Sequence, residues 1–277
     1  MTRKGSEMRF RKLLLMSTAV LVCVAGAAQA GELEEKGRAV LDQYQKAVVT
    51  VQMVIKQKFS MAAMGSREQE SKNEATGFVI DPTGLIVLSL STTDPTAMME
   101  SMMGSLGDDF KIESDMSDVK ILLDDGTEIP ARVVLRDRDL DLAFVRPLEP
   151  PAEPMPVVDM TEPGEANVLD QLVSLTRLGK VANRECAASL ERIHAVVKRP
   201  RKFYVPGSEP TQSGLGSPVF TPDGKFVGML ALRVVKSAGD SGMGMFSGPD
   251  DNMMGIVVPA EDIVEAAKQA PPPDTTT

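Results

Sequence analysis

This sequence predicts an all-β protein folded as a barrel or a sandwich. Three observations carry that reading. Short apolar runs recur along the chain, with turn signals about every 8–12 residues. The turns are of hairpin type, at Asp81-Pro82-Thr83-Gly84, Asp124-Asp125-Gly126 and Pro222-Asp223-Gly224. Clear helical patterns occur only near the two ends, and neither heptads nor a repeat of fixed period is present.

The elements follow in order. "MTRKGSEMRFRK" is basic, "LLLMSTAVLVCVAGAA" is apolar, and Ala28-Gln29-Ala30 has the small-x-small pattern of a cleavage site. Residues 1–30 therefore read as a signal peptide cut after Ala30, which implies a periplasmic or secreted protein. The apolar run is short for a bilayer span of roughly 20 residues, which argues against a retained anchor. Bulky Val22 argues against lipid attachment at Cys23.

Residues 31–47 begin acidic and place Leu33, Val40, Leu41 and Tyr44 on one side, which predicts an amphipathic helix over about 32–46. A strand follows from about Val48 to Ile55, then "FSMAAMGSREQESKNEA" as a polar loop. "TGFVIDPTGLIVLSLS" reads as a hairpin turning at Asp81–Gly84. Residues 92–117 lack strand alternation and carry five methionines, which predicts a long exposed loop. "DVKILLDDGTEIPARVVLRD" is a second hairpin, and "DLDLAFVRP" a short strand that completes a unit over 48–150.

Proline-dense "LEPPAEPMPVV" reads as a linker into a second unit, 151–265. Its strands are "NVLDQLVSLTRL", "CAASLERIHAVV", "KFYVP" and the pair inside "PTQSGLGSPVFTPDGKFVGML". "MMGIVVPAEDIVEAAKQA" is a strand, a break at Pro259 and a C-terminal helix. Residues 266–277 read as a disordered tail.

Composition narrows the function. The 277 residues are 43% hydrophobic, enough for a proper core. Without residues 1–30 the balance is 25 basic against 38 acidic side chains, which excludes nucleic acid and anionic membrane as partners. Cys186 would then be the only cysteine, so no intrachain disulfide forms and the residue reads as buried filler. His194, the only histidine, reads as a structural residue of the surface. A Cys186–His194 nucleophilic pair meeting across a hairpin is the alternative. The basic run Lys198–Lys202 reads as a solvated loop or a docking patch for an acidic partner. No phosphate-cradling glycine loop, dinucleotide fingerprint or calcium-loop spacing appears, so no cofactor is expected.

Three segments together resemble the HtrA/Deg branch of the trypsin-like serine proteases. "ATGFVIDPTGLIVLSLSTT" resembles the family segment that ends in the general-base histidine seven residues after the turn glycine, and that count from Gly84 lands on Ser91. "DDGTEIPARVVLRDRDLDLAFVRP" is similar to the segment that carries the orienting acid, which falls on Asp141. Aligning the proline of the family's G-N-S-G-G-P-L with Pro218 sets the nucleophile position at Leu215 and the oxyanion-loop positions at Ser213 and Gly214. The resemblance implies two six-stranded antiparallel β-barrels with short terminal helices and an active site between them. It also implies a PDZ domain in active members, for which the dozen or so residues after the last helix leave no room.

The site itself is expected to be inert. A serine hydroxyl needs a base within reach to take its proton, and leucine has neither proton nor lone pair. The expected function is that of an exported pseudoprotease which binds a polypeptide segment or a partner protein through the remaining groove. Two alternatives stand beside it. One is an active endopeptidase using non-family residues, with Ser217 the nearest serine. The other is Cu(I) binding through the thioethers of Met98, Met99, Met102 and Met103, with Met243, Met245, Met253 and Met254 further along.

Overall fold

A computed structural model describes residues 31–61, 65–94, 110–208, 211–234 and 253–273. The chain forms two closed six-stranded barrels. Helix α1 spans 31–44 and leads into the first barrel. Its strands are β1 (Val48–Met61), β2 (Gly65–Asp81), β3 (Leu85–Ser89), β4 (Phe110–Leu122), β5 (Glu128–Asp137) and β6 (Leu142–Pro147), with the single-turn helix α2 (Leu90–Thr93) after β3. The second barrel has β7 (Gln171–Arg177), β8 (Cys186–Val197), β9 (Phe203–Pro206), β10 (Pro218–Phe220), β11 (Phe226–Val234) and β12 (Met253–Pro259), closed by α3 (Ala260–Ala267). Around each barrel the strands run β1-β2-β3-β6-β5-β4 and β10-β11-β12-β9-β8-β7, all antiparallel.

The continuous apolar runs at the centre follow from burial on both faces. Along β3, Ile86 and Leu88 point into the first barrel, while Leu85 and Val87 join a cluster lying between the barrels. β6 divides the same way, Ala143 and Val145 inward and Leu142 and Phe144 outward. On β11, Val227 and Leu230 fill the second barrel, and Phe226 and Met229 the shared cluster. A strand with no wet face has no place for the polar half of an alternating pattern. Phe78, Phe220 and Phe226 meet at this junction, with ring centroids 5.3 and 5.8 Å apart, and Tyr44 of α1 stacks on Phe220 at 4.5 Å.

Turn chemistry forms where it was read. Gly84 adopts φ 91°, and Asp81 Oδ1 accepts the Thr83 amide at 2.7 Å. Gly126 at φ 85° closes the β4–β5 hairpin.

Several expectations need correction. The polar loop after Ile55 is strand: β1 and β2 pair without interruption from Val48↔Phe78 to Met61↔Gly65, and β4 joins β1 as far as Phe110. Eight residues of the expected loop 92–117 therefore belong to β4, and 95–109 lie outside the described residues. A three-stranded ribbon needs only its backbone ladder, and with Lys56, Lys58, Glu68 and Glu70 all exposed it buries too little apolar surface to leave a period in the sequence. The proline-dense linker is packed rather than free. Met155 and Val158 are buried, and their amides donate to the carbonyls of Pro82 and Val79. The N-terminal helix ends at 44, short of 47. The tail expected over 266–277 starts later, since Ala266 and Ala267 are helical and Arg146 Nε donates to the Pro271 carbonyl at 2.9 Å.

Candidate functional site

The site lies where β3, the β5–β6 turn and β11 converge. Asp137 Oδ1 accepts the amides of Asp139 and Leu140, which shapes the turn, and Asp141 leaves it at φ 58°, a left-handed conformation that Asp tolerates. Its carbonyl accepts the Leu90 amide at 2.9 Å, which fixes the start of α2 beside it. Inside α2, the hydroxyls of Thr92 and Thr93 donate to the Ser89 and Leu90 carbonyls, holding that single turn together.

Four donors reach the Asp141 carboxylate. Oδ2 accepts the Ser89 hydroxyl at 2.6 Å and the Leu232 amide at 2.9 Å. Oδ1 accepts both the amide and the hydroxyl of Ser91 at 2.7 Å. The group is only 7% exposed, and burial pushes its carboxyl above the ordinary range against the downward pull of those four bonds. Ser91 and Asp141, paired by the sequence reading, are thus in direct contact, and Ser91 spends its hydroxyl on the carboxylate. Leu232, from the second barrel, closes the shell across the junction.

Leu215 follows the 3-10 turn Gln212–Gly214 and is 6% exposed. Ser213 is exposed and its hydroxyl lies 2.9 Å from that of Thr211, while the Gly214 amide donates to the Thr211 carbonyl. Next comes Gly216 at φ 87°, whose amide donates to the Leu230 carbonyl at 2.8 Å. A Cβ on Gly216 would overlap the Thr76 carbonyl oxygen and come 3.3 Å from the Ser89 amide nitrogen. The segment carrying Leu215 is therefore pressed against β2 and β3 one residue away, on the same junction that holds Ser89, Ser91 and Asp141. Ser217 has no exposed surface, and its Oγ lies 2.5 Å from Thr176 Oγ1 within the second barrel.

The Cys186–His194 pair fails on geometry. Both residues lie on β8, a single strand rather than a hairpin, so eight residues at roughly 3.3 Å each keep them about 26 Å apart. His194 is exposed, and burial pushes the Cys186 thiol up to about 11. Among the described residues no cluster of His, Cys, Asp or Glu could hold a metal ion. Met98, Met99, Met102, Met103, Met243 and Met245 lie outside the described residues, while Met253 and Met254 stand on β12.

Several contributors were not singled out in advance. Ser89 left one signal, a hydroxyl at the end of an otherwise apolar buried strand. The Leu232 amide left none. Thr76 and Arg177 form an inter-barrel strap. The Arg177 amide donates to Thr76 Oγ1 at 3.1 Å, and its guanidinium donates to the carbonyls of Gln45, Val48 and Arg184.

A shallow, partly open depression of about 10 Å³ is lined by Leu232, Asp139, Arg201 and Phe203. An open groove lies on the outer face of the second barrel, lined by residues other than those around Asp141.

Two closed antiparallel barrels with an acid buried at their junction define the chymotrypsin fold. The family description "Trypsin-like peptidase domain" matches residues 75–229, more than half of the 277, and the chain belongs to that family. No curated protein matches it.

Proposed function

We propose that this chain is an exported, HtrA/Deg-like member of its family that has lost catalysis and works as a binding or regulatory module for a polypeptide segment or a partner protein. The observation that carries this reading is the Asp141 carboxylate, which binds Ser91 where the general base would stand. A hydroxyl near pH 7 takes no proton from another hydroxyl. At the nucleophile position, buried Leu215 offers no electron pair to a carbonyl. Asp141 then serves the fold, as a junction that draws donors from both barrels. The basic, apolar and small-residue pattern of residues 1–30 supports export.

Ser217, the nearest alternative nucleophile, is poorly suited. Its hydroxyl is buried against Thr176 and faces no base. The test is incubation of the purified protein with unfolded casein beside a Ser217→Ala variant. No cleavage by either is expected. Robust cleavage by the protein that disappears in the variant would overturn the reading.

A further inference from the structure

We propose that the outer edge of β2 is a dimerisation edge, along which a second copy of this chain adds its own β2 antiparallel about a two-fold axis at Ser71. The inference goes beyond the reading of the cleft and does not depend on it.

Beyond the closed barrel, β1, β2 and β4 continue as a ribbon of three strands. β3 pairs with β2 only from Gly77 to Asp81, and β5 with β4 only from Val119 to Leu122. β1 is flanked on both sides along the ribbon, so its two edges belong to β2 and β4. The register decides which backbone groups the β2 edge presents. The Val79 amide donates to the Ala47 carbonyl at 2.9 Å, in step with the uninterrupted pairing from Val48↔Phe78 to Met61↔Gly65. Odd-numbered residues of β2 therefore direct their amides and carbonyls to β1, and even-numbered ones to the opposite edge. At Phe78 that edge is taken by Val87 of β3, and at Thr76 the turn at Gly216 closes on the carbonyl oxygen. Further out, the backbone groups of Lys72, Glu70, Glu68 and Ser66 meet no backbone partner on this edge among the described residues.

A row of open amides and carbonyls selects its occupant by chemistry, because another extended backbone matches its spacing. Two devices that keep such an edge single are missing here: residues 65–74 contain no proline, and their register has no bulge. The charges point to a copy of the same edge. In an antiparallel pair, residues that direct their backbone groups to each other stand opposite, so even-numbered residues meet even-numbered ones. About Ser71 this sets Glu70 against Lys72 of the second copy and Lys72 against its Glu70, two opposite-charge contacts from one symmetry operation. Both side chains are exposed. Glu70 lies 3.9 Å from Lys56, a loose contact between two well-exposed groups that leaves room for a second ammonium. Gln69 falls opposite Asn73 of the second copy, and Glu68 opposite its Glu74, a carboxylate that Arg184 already engages at 2.6 and 3.1 Å. The neighbouring two-fold registers are poorer. About Glu70 that carboxylate faces its own copy, and about Gln69 two Glu68–Glu70 contacts form. A contact of this isologous kind closes at two copies.

Sedimentation velocity on the purified protein over a dilution series tests this. A reversible dimer is expected, with no larger species. Glu70→Lys and Lys72→Glu should each raise its dissociation constant about tenfold, because each turns both opposite-charge contacts into like-charge ones. Making the two changes together exchanges the charges and should restore the dimer. Glu68→Lys should tighten it by removing the like-charge contacts with Glu74, whereas Glu34→Lys on α1 leaves it unaltered. Glu70→Pro removes an amide that the β1–β2 ladder does not use, so it should abolish the dimer while the circular dichroism stays that of the parent. A monomer at every concentration, an assembly that grows past two copies, or a charge-exchanged variant no better than either single change would overturn the proposal. Catalysis enters none of these readouts, so their failure leaves the reading of the cleft untouched.

Discussion

At Asp141 one carboxylate gathers hydroxyls from Ser89 and Ser91 and an amide from Leu232, so both barrels depend on it. Removing a partner from a buried polar group costs more than the bond itself, about 1–3 kcal/mol for each group left unsatisfied. Asp141→Ala strands several donors at once and should cost about 3 kcal/mol or more in urea unfolding. Ser91→Ala, which removes one donor and leaves the carboxylate three others, should cost about 1.5 kcal/mol. If Asp141→Ala proved neutral, its role as a structural junction would be refuted. The position of Asp141 was legible because the "DLDLAFVRP" segment fixes its register, and Ser91 because the count from Gly84 runs along β3 and two residues into α2 without an insertion. Leu232 was not legible, since it contributes only an amide that any residue could supply.

The segment from Gln212 to Pro218 is a tight turn set against the first barrel. Gly216 is confined twice, by φ 87° and by the Thr76 carbonyl that fills the space a Cβ needs. Gly126 has nearly the same φ, 85°, but nothing within 4 Å. The pair separates the two costs. Gly126→Ala should lose about 1 kcal/mol for the backbone alone, and Gly216→Ala clearly more, because β2 must shift as well. Equal losses in urea midpoints would show that the turn is not pressed against the first barrel. Elements buried on both faces or closed by a glycine turn could be read from residue types. The β1–β2–β4 ribbon could not, since its stability lies in backbone pairing between polar strands. β8 misled for a related reason: no turn residue interrupts Cys186–Val197, so a hairpin there had no means of forming.

The two barrels act as one body through the Phe78–Phe220–Phe226 cluster, the Arg177 strap and an ion pair between Glu74 and Arg184. Arg184 reaches both Glu74 oxygens, at 2.6 and 3.1 Å, and Gln52 donates to the same carboxylate at 3.0 Å. The hydrogen bond to Arg184 holds the Glu74 carboxyl below its ordinary range, against a smaller upward push from burial. Because the folded state lowers that pKa, the pair's contribution is full above the ordinary carboxylate value and fades as pH falls through the folded one. Glu74→Gln should therefore be less stable than the parent at pH 7, with the gap narrowing as pH falls below the ordinary carboxylate value. A gap of the same size at every pH at which the protein stays folded would mean that the pair contributes through packing alone. The fold at large was predictable because turns and apolar runs report barrels, whereas the packing of α1 onto Phe220 joins residues 176 positions apart and left no local mark.

The central claim, that this cleft holds no activated nucleophile, is tested most directly with a fluorophosphonate, which phosphonylates any serine whose hydroxyl is deprotonated by a neighbouring base. Intact-mass spectrometry of the treated protein should show the unmodified mass alone. A stoichiometric adduct on a single serine, lost when that serine is changed to alanine, would contradict it.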